Sequence, residues 1–318
     1  MTAALATMLS VTWVRPLAAT GVLAVVVWQL GIAPFLDGIR AVDGATLAVG
    51  AGIGALTILC CAWRWTVVAR GLGLRLSFPA AVAAYYRSVF LNLALPGGVA
   101  GDVQRGVSHG RSVQEVGLGV RAVAWERTSG QVVQAVLTIA ILVAFPSTVG
   151  PSIPLVLGAL AAGAVIVLLA SRARPSQESS RWARARRAIA GDLRNALLAR
   201  KAWPAIVLAS ALVVAGHTTT FVVAARTAGT TAPLSQLLPL ALLALLAMVL
   251  PSIAGWGPRE GATAWAFGAA GLGAAQGVAT AVVYGVMVFV AYLPGALVLV
   301  GAWLPRPGMP RTEGAVDA

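Results

Sequence analysis

Eight ionisable side chains stand in largely apolar sequence: Arg87, Asp102, Arg105, Arg121, Glu126, Arg127, Arg259 and Glu260. Arginine carries a planar fork of donors that matches phosphate, so Arg105, Arg127 and Arg259 are the expected phosphate contacts. Asp102, Glu126 and Glu260 can balance those cations or hold an amine. Arg127, Gln131, Gln134 and Thr138 follow one another at spacings of four, three and four, which puts them on one helical stripe. Such a stripe can line a path for a polar headgroup. In LPSIAGWGPREGA, Leu250 to Ala262, a helix restarting after Gly255–Pro258 exposes free N–H groups, with Pro258 near its first turn. That is a second place for an anion. A competing reading makes Glu126, Arg127, Arg259 and Glu260 an ion-pair lock between helices, and the two readings are compatible.

Other chemistries find little support. GGVAGD lacks the Lys-Ser/Thr ending of a phosphate loop and follows no strand, so nucleotide binding is not expected. His109 has no partners at metal-ligand spacing, and neither a metal nor another cofactor is expected. His217, beside Thr218, Thr219 and Thr220 in an apolar run, reads as a hydrogen-bonded packing residue ahead of a proton relay. Asp37 and Asp43 have some likeness to the acidic first loop of membrane glycosyltransferases, on the strength of one pair of aspartates.

The elements that must position these residues are membrane helices. The chain is 59% hydrophobic and 10% charged, with mean hydropathy +0.86, where a soluble domain carries about 25% charged residues. Several runs reach the roughly 20 residues that cross the hydrocarbon core, and none alternates as barrel strands do. The expected fold is an all-α polytopic membrane bundle. The net charge of +13 sits mostly in loop arginines. It reads as the positive-inside bias rather than as nucleic-acid binding. Cys60 and Cys61 are adjacent, and neighbouring helical positions do not face each other, so no structural disulfide is expected.

Along the chain the expected spans run from about Pro16 to Leu36, Ala45 to Ala69, Val116 to Phe145, Leu155 to Ala170, Pro204 to Ala225 and Ala274 to Leu304. The first is read as a retained helix, because no basic start or cleavage site precedes Arg15. Gln104 to Glu115 reads as a polar connecting segment. Residues 1–304 form one transmembrane domain, and 305–318 a disordered cytoplasmic tail. Ser171 to Trp203 is a basic cytoplasmic loop whose Trp182, Ile189, Leu193 and Leu197 recur at helical spacing. It either fixes topology or lies as an interfacial helix on anionic lipid. Both termini are expected in the cytoplasm of a cell-membrane protein. With Arg75 and Arg105–Arg111 on one side, Pro79–Asp102 must enter and return, and Leu237–Gly271 must do so from the other face. Two re-entrant broken hairpins entering from opposite faces are the pattern of an inverted repeat.

The stretches LNLALPGGVAGDVQRG, AWERTSGQ and LPSIAGWGPREGA together resemble the transmembrane, flippase-like domain of the lysylphosphatidylglycerol synthase family. The matching elements, in the family's order, are Asn92, Pro96, Gly97, Gly98, Gly101, Asp102 and Arg105. Glu126 and Arg127 follow, then Pro251, Gly255, Gly257, Arg259 and Glu260. The resemblance covers essentially the whole chain and implies a bundle that moves or handles a lipid between leaflets. Fused members carry an aminoacyl-transferase domain, which the stretch after Leu304 is too short to form, so lysine transfer is not expected here.

The expected function is therefore lipid translocation. A phospholipid or lipid-linked precursor headgroup would meet Asn92, Gly97, Gly98, Gly101, Asp102, Arg105, Glu126, Arg127, Gln131, Gln134, Gly255, Gly257, Arg259 and Glu260. The glycines allow close backbone approach. Two alternatives stay open: a membrane enzyme or accessory subunit acting on lipid-linked sugars, and a non-catalytic scaffold for a separate lipid-modifying enzyme.

Overall fold

The computed structural model describes residues 20–95, 98–145, 189, 191–250, 252 and 255–303. Helix α1 spans Thr20–Leu30. It is followed by α2 (Ala33–Ala41), α3 (Gly44–Gly71), α4 (Phe78–Ala94), α5 (Ala100–Ser112) and α6 (Val116–Ala144). A π-helical turn, Leu193–Leu197, precedes α7 (Trp203–Thr227), α8 (Leu234–Ala247), α9 (Pro258–Ala269), α10 (Ala274–Tyr292) and α11 (Pro294–Trp303). No strand occurs among the described residues. Four helical spans are long and apolar enough to cross a membrane, or five if the bent pair α1–α2 counts as one. The protein is a multi-pass, membrane-embedded helical bundle. The expected span Leu155–Ala170, most of the basic loop and the tail lie outside the described residues.

The apolar sequence sorts these helices by position. In α10 every turn is apolar, and Val278, Tyr284 and Met287 are fully buried. A helix apolar all round belongs in the middle, and α10 packs on α2, α3, α4, α7, α9 and α11. Helix α6 is two-faced. Gly119, Ala122, Glu126, Ser129 and Thr138 are buried, while Val132, Val136 and Val143 point outward. In lipid that is the expected arrangement, with polar groups toward protein and valines toward hydrocarbon.

Three features depart from the sequence expectation. The first span does not run straight to Leu36: α1 and α2 meet at 97°. Gly31 adopts φ 75°, and Pro34 opens α2. Asp37 and Arg40 therefore lie on a helix rather than in a loop. Secondly, Gln104–Glu115 is not a loop, since α5 covers most of it. Gly106 and Gly110 of α5 lie against Gly119 and Val116 of α6 so closely that a methyl on Gly119 would fall 2.5 Å from the Gly106 carbonyl oxygen. Small residues four apart let polar-flanked helices dock tightly. Thirdly, Asp43 caps α3, its Oδ1 accepting the Thr46 N–H at 2.8 Å. Hydrogen bonding from Thr46 holds this carboxyl below its usual pKa.

The two hairpins, α4–α5 and α8–α9, are helix–break–helix units as expected. Their breaks touch. A methyl on Gly255 would lie 2.7 Å from Leu93 Cδ1, and one on Gly98 would lie 3.6 Å from Ser252 Oγ.

Candidate functional site

Two carboxylates organise the interior between α3, α4, α5 and α6. Glu126 is fully buried. Its Oε1 accepts from Arg64 Nε at 3.0 Å and from the Tyr85 hydroxyl at 3.1 Å, and its Oε2 accepts from Arg105 Nη2 at 3.0 Å. Asp102 stands in the first turn of α5, where a helix dipole favours an anion. Its Oδ1 accepts from Ser88 at 3.1 Å, Arg105 at 3.1 Å and Arg127 at 2.9 Å, and its Oδ2 from Asn92 at 3.0 Å. Asn92 completes the corner, its Oδ1 taking the Gly101 N–H at 2.8 Å.

Arg105 is a strut inside this network. Its guanidinium carbon lies 4.4 Å from the Trp65 ring centroid and 4.1 Å from that of Tyr85. The rings meet the Nε and Nη1 that have no hydrogen-bond partner among the described residues. Three guanidinium groups, of Arg64, Arg105 and Arg127, thus face two carboxylates. One positive charge is left over.

The second break carries its own pair. Glu260 Oε2 reaches back to the Gly257 N–H at 2.7 Å, the return half of a capping box, and its Oε1 takes Arg259 Nε at 2.9 Å. Gly257 holds φ 115°, a conformation that side chains rarely adopt. Arg259 sits 5.5 Å from the Trp256 ring and 5.2 Å from the Tyr284 ring, in space that Gly285 leaves open. The Tyr284 hydroxyl is 2.8 Å from His217 Nδ1. Arg259 and Glu260 therefore pair with each other, and neither reaches Glu126 or Arg127. The four residues thus fall into two separate networks, and the second is a pair of neighbours on one helix, not a bridge between helices.

Beside the first network, which contributes Arg64, Tyr85 and Arg127, lies a cavity of about 190 Å³; Arg259 and Glu260 do not line it. Its polar wall is Thr57, Arg64, Tyr85, Arg127, Gln131, Gln134, Ser210 and His217. Its apolar wall includes Ile58, Val89, Val213, Leu245, Met248 and Val249, the last two at the edge of the second break. The stripe Arg127–Gln131–Gln134 lines it as its spacing suggests, and the Gln134 Nε2 is buried with no partner among the described residues. Thr138 turns to its own helix, donating to the Gln134 carbonyl.

The remaining expected residues divide plainly. Gly101 does allow a close approach, but of α4: a methyl there would lie 1.9 Å from the Ser88 carbonyl oxygen. Gly98 and Gly255 stand at the touching breaks, and Gly97 lies outside the described residues. Arg87 is half-buried on α4, without a hydrogen-bond partner for its Nε among the described residues. Arg121 pairs with Asp192, which also accepts from Trp125 Nε1 at 2.9 Å, so it ties the basic segment to α6. No group of metal-ligating side chains occurs among the described residues.

Sequence reasoning missed Arg64, Tyr85 and Ser210; His217, read as a hydrogen-bonded packing residue, does bond Tyr284 and in addition lines the cavity. The signal for Arg64 was present: it is a charge within the apolar 28-residue α3, nearly two turns short of Arg70 in the last turn, and such a charge is by itself a pointer to function. Its seat depends on Gly130, where a methyl would come 2.7 Å from Arg64 Nη1. Gly130→Ala is expected to push this guanidinium off Glu126 and lower stability by about 1–3 kcal/mol, read from the thermal midpoint. An unchanged midpoint would show that Arg64 is not held there.

Among curated proteins, nothing matches the chain. The family described as the lysylphosphatidylglycerol synthase TM region matches residues 9–295, which span both breaks and all four ion pairs around Glu126 and Asp102. With that match over most of its length, and with the expected Asn92–Asp102, Glu126–Arg127 and Arg259–Glu260 elements built into its interior, this chain belongs to the lysylphosphatidylglycerol synthase transmembrane family.

Proposed function

We propose that this protein carries a polar lipid between leaflets, its headgroup entering the cavity while the tails stay in hydrocarbon. The observation that supports this most is the excess positive charge beside the cavity. Arg127 is 38% exposed in its side chain while bonded to Asp102, and it stands on the cavity wall with an unpartnered Gln134 Nε2 two turns on. A cluster with three cations on two carboxylates is costly away from bulk water, and a phosphate beside Arg127 would offset the excess. Irregular backbone at membrane depth needs a shielded polar space, and the second break meets one at Met248 and Val249; shifts of the hairpins would open it to either side. Arg127, Gln131 and Gln134 are the direct contacts in this reading. Asn92, Asp102, Arg105, Glu126, Gly257, Arg259 and Glu260 hold the frame. The arginine-rich segment and both termini lie on the cytoplasmic side, with the basic segment against anionic lipid.

The test is a leaflet-resolved assay with headgroup-labelled phospholipid in proteoliposomes. Arg127→Gln is expected to slow transfer about tenfold or more, as losing a charged contact to a phosphate does. Gln134→Met keeps volume and breaks no internal bond of that amide, so it is expected to slow transfer about threefold to tenfold. Wild-type rates in both variants would overturn the reading.

A further inference from the structure

We infer that the cavity is selective by charge: it accepts lipids whose phosphodiester is the only charge on the headgroup and excludes those whose headgroup adds ammonium groups. This rests on the headgroup reading of the cavity above. Among the described residues, the lining holds two guanidiniums and no carboxylate. Both nearby carboxylates are already occupied. Glu126 takes Arg64, Arg105 and Tyr85, and Asp102 takes Ser88, Asn92, Arg105 and Arg127. An entering ammonium would find no free anion to pair with and would face the surplus positive charge of the arginine cluster.

The uncharged polar groups point the same way. Gln134 offers a buried N–H₂ that nothing in the described chain accepts. Ser210 accepts Arg64 Nη1 at 3.0 Å, so its own hydroxyl hydrogen is free to donate. Donors crowd around one site, and one singly charged phosphodiester with hydroxyls on its head supplies the matching acceptors. A doubly cationic aminoacylated head carries the same phosphate but adds like charge beside Arg127. Like-charge juxtaposition in a site of low dielectric is the repulsive element that specificity needs.

The experiment is competitive lipid retention by the purified full chain, read by native mass spectrometry. The probes are phosphatidylglycerol, phosphatidylethanolamine, lysylphosphatidylglycerol and, as a head-free control, diacylglycerol of the same acyl chains. Wild type is expected to retain phosphatidylglycerol roughly tenfold or more over lysylphosphatidylglycerol, with phosphatidylethanolamine between them. Arg127→Gln is expected to flatten that order. Gln134→Glu, which plants a carboxylate in the wall, is expected to move it toward the amine-bearing lipids. Equal retention of the two glycerol lipids by wild type, or preference for the lysylated one, overturns the charge selectivity and leaves the headgroup site standing. Retention of all three phospholipids at the level of diacylglycerol overturns the headgroup site itself. If Gln134→Glu does not fold, wild type and Arg127→Gln decide the question.

Discussion

Glu126→Ala is expected to leave little folded protein after detergent extraction. The carboxylate is fully buried and is the shared acceptor of Arg64, Arg105 and the Tyr85 hydroxyl. Removing it leaves buried Arg64 with no carboxylate partner and leaves Arg105 and Arg127 to share Asp102. Breaking a buried ion pair from one side costs about 3–5 kcal/mol, a large share of the stability of any domain. The measure is the fraction of monodisperse protein on size exclusion, together with the thermal midpoint. Replacing Glu126, Arg64 and Arg105 together by methionine is expected to recover much of the loss, because a well-packed apolar trio leaves no orphan charge. A Glu126→Ala protein that extracts and melts like wild type would show that the arginines have other partners.

Gly101→Val is expected to be comparably damaging for a different reason. The added Cβ would fall 1.9 Å from the Ser88 carbonyl oxygen and 2.7 Å from its carbon, and both belong to the backbone of α4. Neither can rotate away, so α5 must leave α4. That separates Asp102 from Ser88 and Asn92, and Arg127 loses its anchor. Overpacking of this kind costs about 1–3 kcal/mol or more, and lipid transfer is expected to fall to background. Gly117→Val is the control. Nothing lies within 4 Å of the corresponding position, so its midpoint should change little beyond the weak helix propensity of valine. Similar midpoints for the two variants would contradict the tight α4–α5 contact.

Much of this architecture is legible in composition and charge, because lipid imposes long apolar helices and polar breaks stand out against them. The expected Val116–Phe145 helix and α6 agree within a residue, and both breaks fall at their Gly-Pro-rich stretches. What stayed hidden is set by contacts distant in sequence. Arg64 looked like one polar residue in a span until α6 placed Glu126, 62 positions away, against it. Helix α5 reads as a polar connector because its glycines contribute nothing apolar, and only the matching glycine of α6 explains them. The bend at Gly31 depends on a single positive φ, which an apolar run does not advertise. Arg259 and Glu260 looked like partners for Glu126 and Arg127 by charge alone. Local geometry decides otherwise, since adjacent residues at a helix start satisfy each other first.

Occupation of the cavity beside α3, α6 and α7 by a lipid headgroup is the central proposal. An experimental density map of the protein in phosphatidylglycerol nanodiscs tests it most directly. The account predicts a phosphate-sized feature bonded to Arg127 and Gln134, with acyl density leaving along the apolar wall past Val213 and Leu245. A cavity filled only by water, with every ordered lipid confined to the outer belt, would contradict it.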